Sequence, residues 1–169
     1  MSSRKERIIL KRIIHMNMSL DDLDIIILNE LAKNARVSLS YISKKANLSI
    51  PAVSERIKKL NENQYIEKYT TILNPKKFDI NILCFTLLTL RYTEGGFERF
   101  QAFVASQSEI VECHQITGEY EYLLKIATRN SDTLAEILDN LRKEADVLTT
   151  STSIALLALK NEPSFQINI

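Results

Sequence analysis

Glycine and proline are scarce, with three of each in 169 residues, and there are two cysteines and no tryptophan. Three glycines, two of them adjacent at Gly95-Gly96, cannot build the glycine-rich loop that cradles phosphates in nucleotide-binding folds. Cys84 and Cys113 stand 29 positions apart with no CxxC partner, which excludes a disulfide framework. They read as reduced, buried thiols of a cytoplasmic protein. No apolar run reaches membrane-spanning length. The basic opening stretch RKERIILKRIIHMNM has its apolar pieces broken by Lys11 and Arg12, and no small-residue cleavage site follows it. Neither a membrane anchor nor a secretory signal is expected.

What is present is ordinary globular material, with 45% hydrophobic and 25% charged residues. The length suits one or two small domains with cores of their own. The net charge of +1 conceals an asymmetry: residues 1–80 hold 15 Lys and Arg against 9 Asp and Glu, and residues 81–169 hold 7 against 12. Halves of opposite sign suggest that the first meets a polyanion and the second does something else. Five of those fifteen cations crowd into the first twelve residues, so charge supports a polyanion partner only alongside local structure.

That structure is legible in the spacing. Ser19-Leu20-Asp21-Asp22 reads as a capping box. Leu20, Leu23, Ile27 and Leu31 then recur at helical spacing, and Asp21, Asp22 and Asp24 suit the helix dipole. The helix is predicted to end near Lys33-Asn34. A second fits Leu39–Ala46, with Ser38 as its cap and Ile42 and Ala46 facing inward. A third spans about Ile50–Glu62, capped by Ser49. Pro51 sits in its first turn, where backbone N–H groups have no helical acceptor and a proline removes nothing. Val53, Ile57 and Leu60 form its apolar stripe. Only Asn47 and Leu48 separate the second and third helices. Asn tolerates a left-handed turn better than any other non-glycine residue, and Leu48 can plug the angle. Two short helices so joined, with a leading helix behind, make a helix-turn-helix. Tyr65–Ile72 reads as a strand and Asn74-Pro75 as a turn.

The second half changes period. Ile82–Arg91 reads as a buried strand. Gly95-Gly96 ends it, and Phe97, Phe100 and Val104 give a helix to about Gln107. Ile110–Thr117 and Tyr120–Thr128 are two strands around a Gly118-Glu119 hairpin signal. Ser131–Lys143 is a helix with Leu134, Ile137, Leu138 and Leu141 on one face, and Val147–Leu159 is a long last strand. The order strand, helix, strand, strand, helix, strand is the ferredoxin-like arrangement. The expected fold class is α+β, with a basic extension over 1–18, a winged helix-turn-helix domain over 19–75 and a ferredoxin-like βαββαβ domain over 76–169. Its two helices cover one face of the sheet, and the other face calls for a second copy. Leu87, Leu123, Ile126, Ile154 and Leu156 are candidates for the two faces.

On the third helix, the face away from the apolar stripe carries Ser54, Glu55, Lys58 and Lys59, with Arg56 on its flank. In a helix-turn-helix this face enters the major groove of double-stranded DNA. Lys58 and Lys59 suit phosphate, Arg56 suits phosphate or guanine, and Lys44 and Lys45 on the preceding helix would cross the backbone. Ser38, Ser49 and Pro51, at the starts of these helices, complete the candidate DNA-binding set. The bland alternative is a solvated charged face on a plain helical bundle. The two-residue turn and the capped, proline-started helix favour the first reading.

Leu23-Asp24, Ile27-Leu28, Ala35-Arg36-Val37-Ser38, Leu48-Ser49, Ala52-Val53, Arg56-Ile57-Lys58-Lys59-Leu60 and Ile66 together resemble the DNA-binding domain of the Lrp/AsnC, or feast/famine, transcription regulators. Glu112-Cys113, Thr117-Gly118-Glu119-Tyr120-Glu121-Tyr122-Leu123-Leu124 and the later Thr149-Thr150-Ser151-Thr152 resemble that family's second domain, an ACT-like fold also termed RAM. The resemblance covers about residues 19–160. It implies a homodimer through the second domains, often assembled into an octamer, and a small amino-acid effector held between subunits near Gly118. Glu121 would receive the effector's ammonium. Backbone N–H groups around Gly118 and the Thr150 and Thr152 hydroxyls would receive its carboxylate, with Thr117, Glu119 and Tyr120 completing the hairpin. No cofactor or catalytic activity is implied. The chain departs from the family pattern at Glu121, where Asp is usual, and at Asn47, Gln64, Lys68 and Asp79, where Gly is common.

Other groupings lead elsewhere. Cys113 and His114 are adjacent on an expected strand and point to opposite faces, so they do not form a metal site simply. Glu119 and Glu121 share a face as a catalytic dyad would, but hairpin surface and effector contact account for them. A rival enzyme reading comes from sirohaem decarboxylases, which share this two-domain plan. It has only His114, Arg91, Arg99, Arg129 and Arg142 to line a tetrapyrrole pocket. A third reading is a DNA-organising protein without ligand control. In residues 1–18, Ile8, Ile9, Ile13 and Ile14 with five cations fit a basic amphipathic helix. A DNA arm, a dimer contact, a membrane-surface element and a start at Met16 or Met18 all remain open for it. His15 has no partner in sight.

Overall fold

Helix α1, Asp22–Lys33, is capped by Asp21 and not by Ser19. In the computed structural model, which describes residues 19–168, Asp24 N–H donates to the Asp21 carboxylate at 2.8 Å and Asp21 N–H donates to the Asp24 carboxylate at 3.3 Å. The capping box is thus displaced by two residues from the expected Ser19–Asp22 pair. The basic extension over 1–18, with His15, lies outside the described residues.

Helix α2, Leu39–Ala46, and helix α3, Ile50–Glu62, follow with the expected bounds and with Ser38 and Ser49 as their caps. Asn47 takes the left-handed conformation at φ 52°. The turn is closed by Leu48 N–H donating to Ser43 O at 3.0 Å, while the Ser43 hydroxyl donates to Leu48 O at 2.5 Å. An eight-residue helix has little stability alone, so tertiary burial holds it. Ile27, Leu28, Ile42, Val53 and Leu60 are buried together, with Leu20, Leu31, Val37, Leu48, Ile57 and Ile66 around them. Tyr65–Ile72 does not form the expected strand: its backbone is irregular, and Tyr69 and Ile72 are exposed. The expected turn at Asn74-Pro75 is a 3₁₀ turn, Pro75–Phe78. Gln64 and Asp79 hold positive φ without being glycine, as Asn47 does.

Strands β1 (Ile82–Leu90), β2 (Ile110–Gln115), β3 (Tyr122–Thr128) and β4 (Val147–Ile154) make an antiparallel sheet in the order β2-β3-β1-β4. Helices α4 (Gly96–Ser106) and α5 (Ser131–Glu144) complete the ferredoxin-like plan. Phe100, Phe103, Leu134, Ile137 and Leu141 from these helices bury Cys84, Leu88, Leu124, Ile126 and Val147 of the sheet. Alternation therefore sends Leu83, Phe85 and Leu87 of β1, with Leu123, Lys125 and Ala127 opposite them, to the other face. The register thus separates two residues that sequence alone left together: Ile126 faces the helices and Leu123 faces away.

Strand β4 stops five residues short of the expected Leu159. Ile154 pairs with Cys84 and Ala155 N–H reaches Leu83 O, and there β4 comes to the start of β1 at Ile82. Leu156, Leu157 and Leu159 are left exposed. Cys84 is buried as expected, but Cys113 is exposed because β2 is an edge strand. The chain divides into two compact units, one running up to Ile72 and resumed from Asn161, the other Leu73–Lys160. The stretch from Asn161 thus belongs with the helices and not, as expected from sequence, with the sheet.

Candidate nucleic-acid interface and effector hairpin

Helix α3 owes its start to local chemistry. The Ser49 hydroxyl accepts from Ala52 N–H at 3.3 Å, and Pro51 occupies a first-turn position whose missing N–H is not needed. Val53 and Leu60 are buried, which turns Ser54, Glu55, Lys58 and Lys59 outward, all exposed. Lys58 lies 3.9 Å from Glu62, a loose pair between exposed side chains that a phosphate can displace. Lys44 is exposed on α2, and Ser38 is engaged as a cap, accepting from Tyr41 N–H at 3.2 Å.

Two of the candidate cations are committed to carboxylates at the α1 end of the unit. Arg56 Nη1 donates to Asp24 at 2.7 Å and to Asp21 at 2.8 Å, and its side chain is 29% exposed against 7% for Asp24. These carboxylates push the guanidinium further up, Asp24 first. Arg56 therefore clamps α3 to the start of α1. Lys45 reaches Glu30 at 2.7 Å, and Lys33 reaches the same carboxyl oxygen at 3.1 Å. Hydrogen bonds from Lys45 and then Lys33 hold Glu30 below the usual carboxylate range. Sequence reasoning missed both clamps because their acceptors lie a helix away. It also missed Tyr41 and Ile50, both exposed on α2 and α3.

In the second unit the loop between β2 and β3 carries Thr117, Gly118, Glu119, Tyr120 and Glu121. Gly118 sits at φ +125°, where a side chain is strained even though a Cβ would meet nothing within 4 Å. Glu121 is held by its own chain: one carboxyl oxygen accepts from Leu90 N–H and the other from the Tyr92 hydroxyl, each at 2.8 Å. The neighbouring carboxylate raises the Tyr92 phenol above its ordinary value. Thr150 accepts from Arg142 at 2.7 Å, and Thr152 pairs with Thr86 at 3.0 Å. Glu121 leads into β3 and the two threonines sit in β4, with β1 between them. Within one chain the expected effector groups therefore flank β1, roughly two strand spacings or 9–10 Å apart.

The residues available to a tetrapyrrole are dispersed. Arg99 pairs with Asp146, Arg142 with Asp139 and Thr150, and His114 lies 3.2 Å from Glu112 on the face away from the helices. Among the described residues no three His, Cys, Asp or Glu gather as a metal would need, and no helix is long and apolar enough to cross a membrane.

Comparison with known proteins matches both halves. The family model for the Lrp/AsnC ligand binding domain covers residues 83–165, and that for a winged helix-turn-helix DNA-binding domain covers residues 20–67. The chain is 36% identical over 137 residues to the HTH-type transcriptional regulator FL11 of Pyrococcus furiosus, spanning 81% of this chain and 89% of that one. It is 36% identical over 143 residues to the leucine-responsive regulatory protein of Salmonella typhimurium, spanning 83% and 87%. Among solved structures, a transcriptional regulator from Neisseria meningitidis in complex with L-Met superposes with a TM-score of 0.83 at 27% identity, covering 87% of this chain and 96% of that one. A feast or famine regulatory protein from M. tuberculosis complexed with L-methionine gives 0.77 at 25% identity, covering 88% and 100%.

Proposed function

This chain belongs to the Lrp/AsnC family of DNA-binding transcriptional regulators, and from that premise we propose that α3 is its recognition helix. The observation that carries the reading is the outward face of Ser54, Glu55, Lys58 and Lys59 on a helix whose other side is buried and whose position is clamped by Arg56. Ser54 and Glu55, near the helix start, would meet base edges, while Lys58, Lys59 and Lys44 would meet phosphate. Lys45, Ser38, Ser49, Pro51 and Arg56 shape the surface more than they touch DNA.

The uncovered sheet face, with Leu83, Phe85, Leu87 and Leu123, supports pairing with a second copy, and an octamer is the larger assembly proposed from such dimers. Two α3 helices would then address neighbouring major grooves. A small amino acid is the proposed effector, as two of the similar structures hold L-methionine. Glu121 accepts two hydrogen bonds already, but a carboxylate has about four lone-pair sites, so an ammonium can join them. A regulator of this type works where the chromosome is, in the cytoplasm, and needs no cofactor or catalytic step. The test is fluorescence anisotropy on DNA from upstream of its own gene, with and without each common amino acid. Salt-dependent binding that one amino acid shifts is expected. No binding even at low salt would overturn the reading, and binding that no amino acid changes would leave a DNA-organising protein.

A further inference from the structure

Two stretches of chain pass between the units, one at Ile72–Leu73 and one at Lys160–Asn161. The second has no counterpart in the expected domain plan. After β4 the chain returns to α1, where Asn29 makes a reciprocal pair with the backbone of Ile167. The side-chain amide Nδ2 donates to Ile167 O at 3.0 Å, and Ile167 N–H donates to Asn29 Oδ1 at 2.9 Å. A primary amide offers a donor and an acceptor side by side, as a strand does, so Asn29 reads an extended segment without caring about its side chains. Selectivity comes from Ile167 itself, whose side chain joins the cluster built on Ile27, Leu28, Ile42, Val53 and Leu60. Phe165, two residues earlier, is 81% exposed, so the docking is centred on one residue.

We propose that residues 161–168 form a strap that is a working part of the DNA-binding unit, docking on Asn29 so that the unit is held by two connections and not one. The face of α1 around Asn29 is thus an interaction surface whose occupant is the chain's own later segment. Its consequence for binding rests on the reading of α3 as the recognition helix; the docking itself does not. Asn29 and Asp24 lie on the same helix, and Asp24 holds Arg56 of α3. Ile167, Asn29, α1, Asp24 and Arg56 therefore form one physical series from the strap to the recognition helix. A unit held at two points loses less freedom when it meets DNA than one on a single linker.

The test is hydrogen exchange by mass spectrometry on the whole chain, comparing wild type with Asn29→Ala, Ile167→Asp and the double variant. Each single change is expected to speed exchange across Asp22–Lys33 by roughly tenfold, the effect of losing one to two hydrogen bonds. The double variant should be no faster than the faster single one, because both remove the same interaction. Exchange in β1 and β3 should not change. DNA affinity should fall severalfold, although neither residue lies on the outward face of α3. Should Asn29→Ala fail to fold, Asn29→Ser keeps a neutral hydroxyl that a water can bridge to Ile167, and should give a smaller increase. Wild-type exchange in α1 of Ile167→Asp, or two single effects that add in the double variant, would overturn the strap. A wild-type chain that binds no DNA would instead overturn the recognition-helix reading, leaving the exchange result to judge the strap alone.

Discussion

Arg56→Ala separates the two roles open to that residue. Sequence places Arg56 beside the DNA-facing residues, whereas the structure commits it to Asp24 at 2.7 Å and Asp21 at 2.8 Å. The Asp24 interaction is charge-assisted and its carboxylate is only 7% exposed, so its loss costs about 2 kcal/mol, within the range for hydrogen bonds to charged groups. Asp21 is half exposed, so its share is about 0–1 kcal/mol. Alanine is a slightly better helix former than arginine and returns about a few tenths of a kcal/mol. The expected loss is about 2 kcal/mol, read as a lower urea midpoint for the helical unit by circular dichroism. Asp24→Asn combined with Arg56→Ala should cost less than the two single changes added together, because no unpaired buried charge is left. The clamp also sets an acid limit. The Asp24 N–H, and then Arg56, hold the Asp21 carboxyl below the usual carboxylate range. Its contribution is present above the unfolded-state pKa and is lost as pH falls through the folded one. Arg56→Ala should flatten stability against pH in that acid region. In DNA titrations its salt slope should match wild type. A stability change under about 0.5 kcal/mol, with a slope reduced as when a phosphate goes unneutralised, would refute the clamp and return Arg56 to the DNA.

Lys58→Ala and Lys59→Ala, made together, should weaken binding to all sequences alike and flatten the dependence of log K on log salt by about 0.9 for each phosphate that a lysine no longer neutralises, measured by anisotropy. Ser49→Ala should cost about 1 kcal/mol through the missing cap on α3, while Pro51→Ala should be close to neutral in the same urea titrations. Tyr92 should ionise above the ordinary tyrosine range because its phenolate would face Glu121 and its hydroxyl would lose an acceptor. Ultraviolet titration of wild type against Tyr92→Phe isolates that step, and Glu121→Gln should bring it down.

Much of the fold was legible because local rules and burial agree there. The bounds of α2 and α3 follow from Ser38, Asn47, Ser49 and Pro51, each of which acts on its own few neighbours. The first capping box was misplaced because both Ser19–Asp22 and Asp21–Asp24 fit the spacing, and the second gains Arg56 from 32 residues away. Strand ends were overrun for a related reason. Apolar, β-prone residues after Ile154 and in Tyr65–Ile72 have the right composition, but a strand exists only where a partner strand runs beside it. The outward face of α3 was readable from its periodicity. The pairing of Arg56 and Lys45 with carboxylates of α1 was not, since a cation's destination depends on carboxylates that only the folded chain brings near. Nor does any local pattern announce Asn29 as the seat of Ile167.

The central claim is that α3 reads DNA, and a hydroxyl-radical footprint on the DNA upstream of the protein's own gene tests it most directly. The account predicts paired protections on one face of the duplex, one helical turn or a whole multiple apart, around an imperfect palindrome. The same protections should vanish in the Lys58→Ala/Lys59→Ala variant at a concentration that saturates wild type. Protections that persist unchanged in that variant would mean that another surface holds the DNA and would contradict the account.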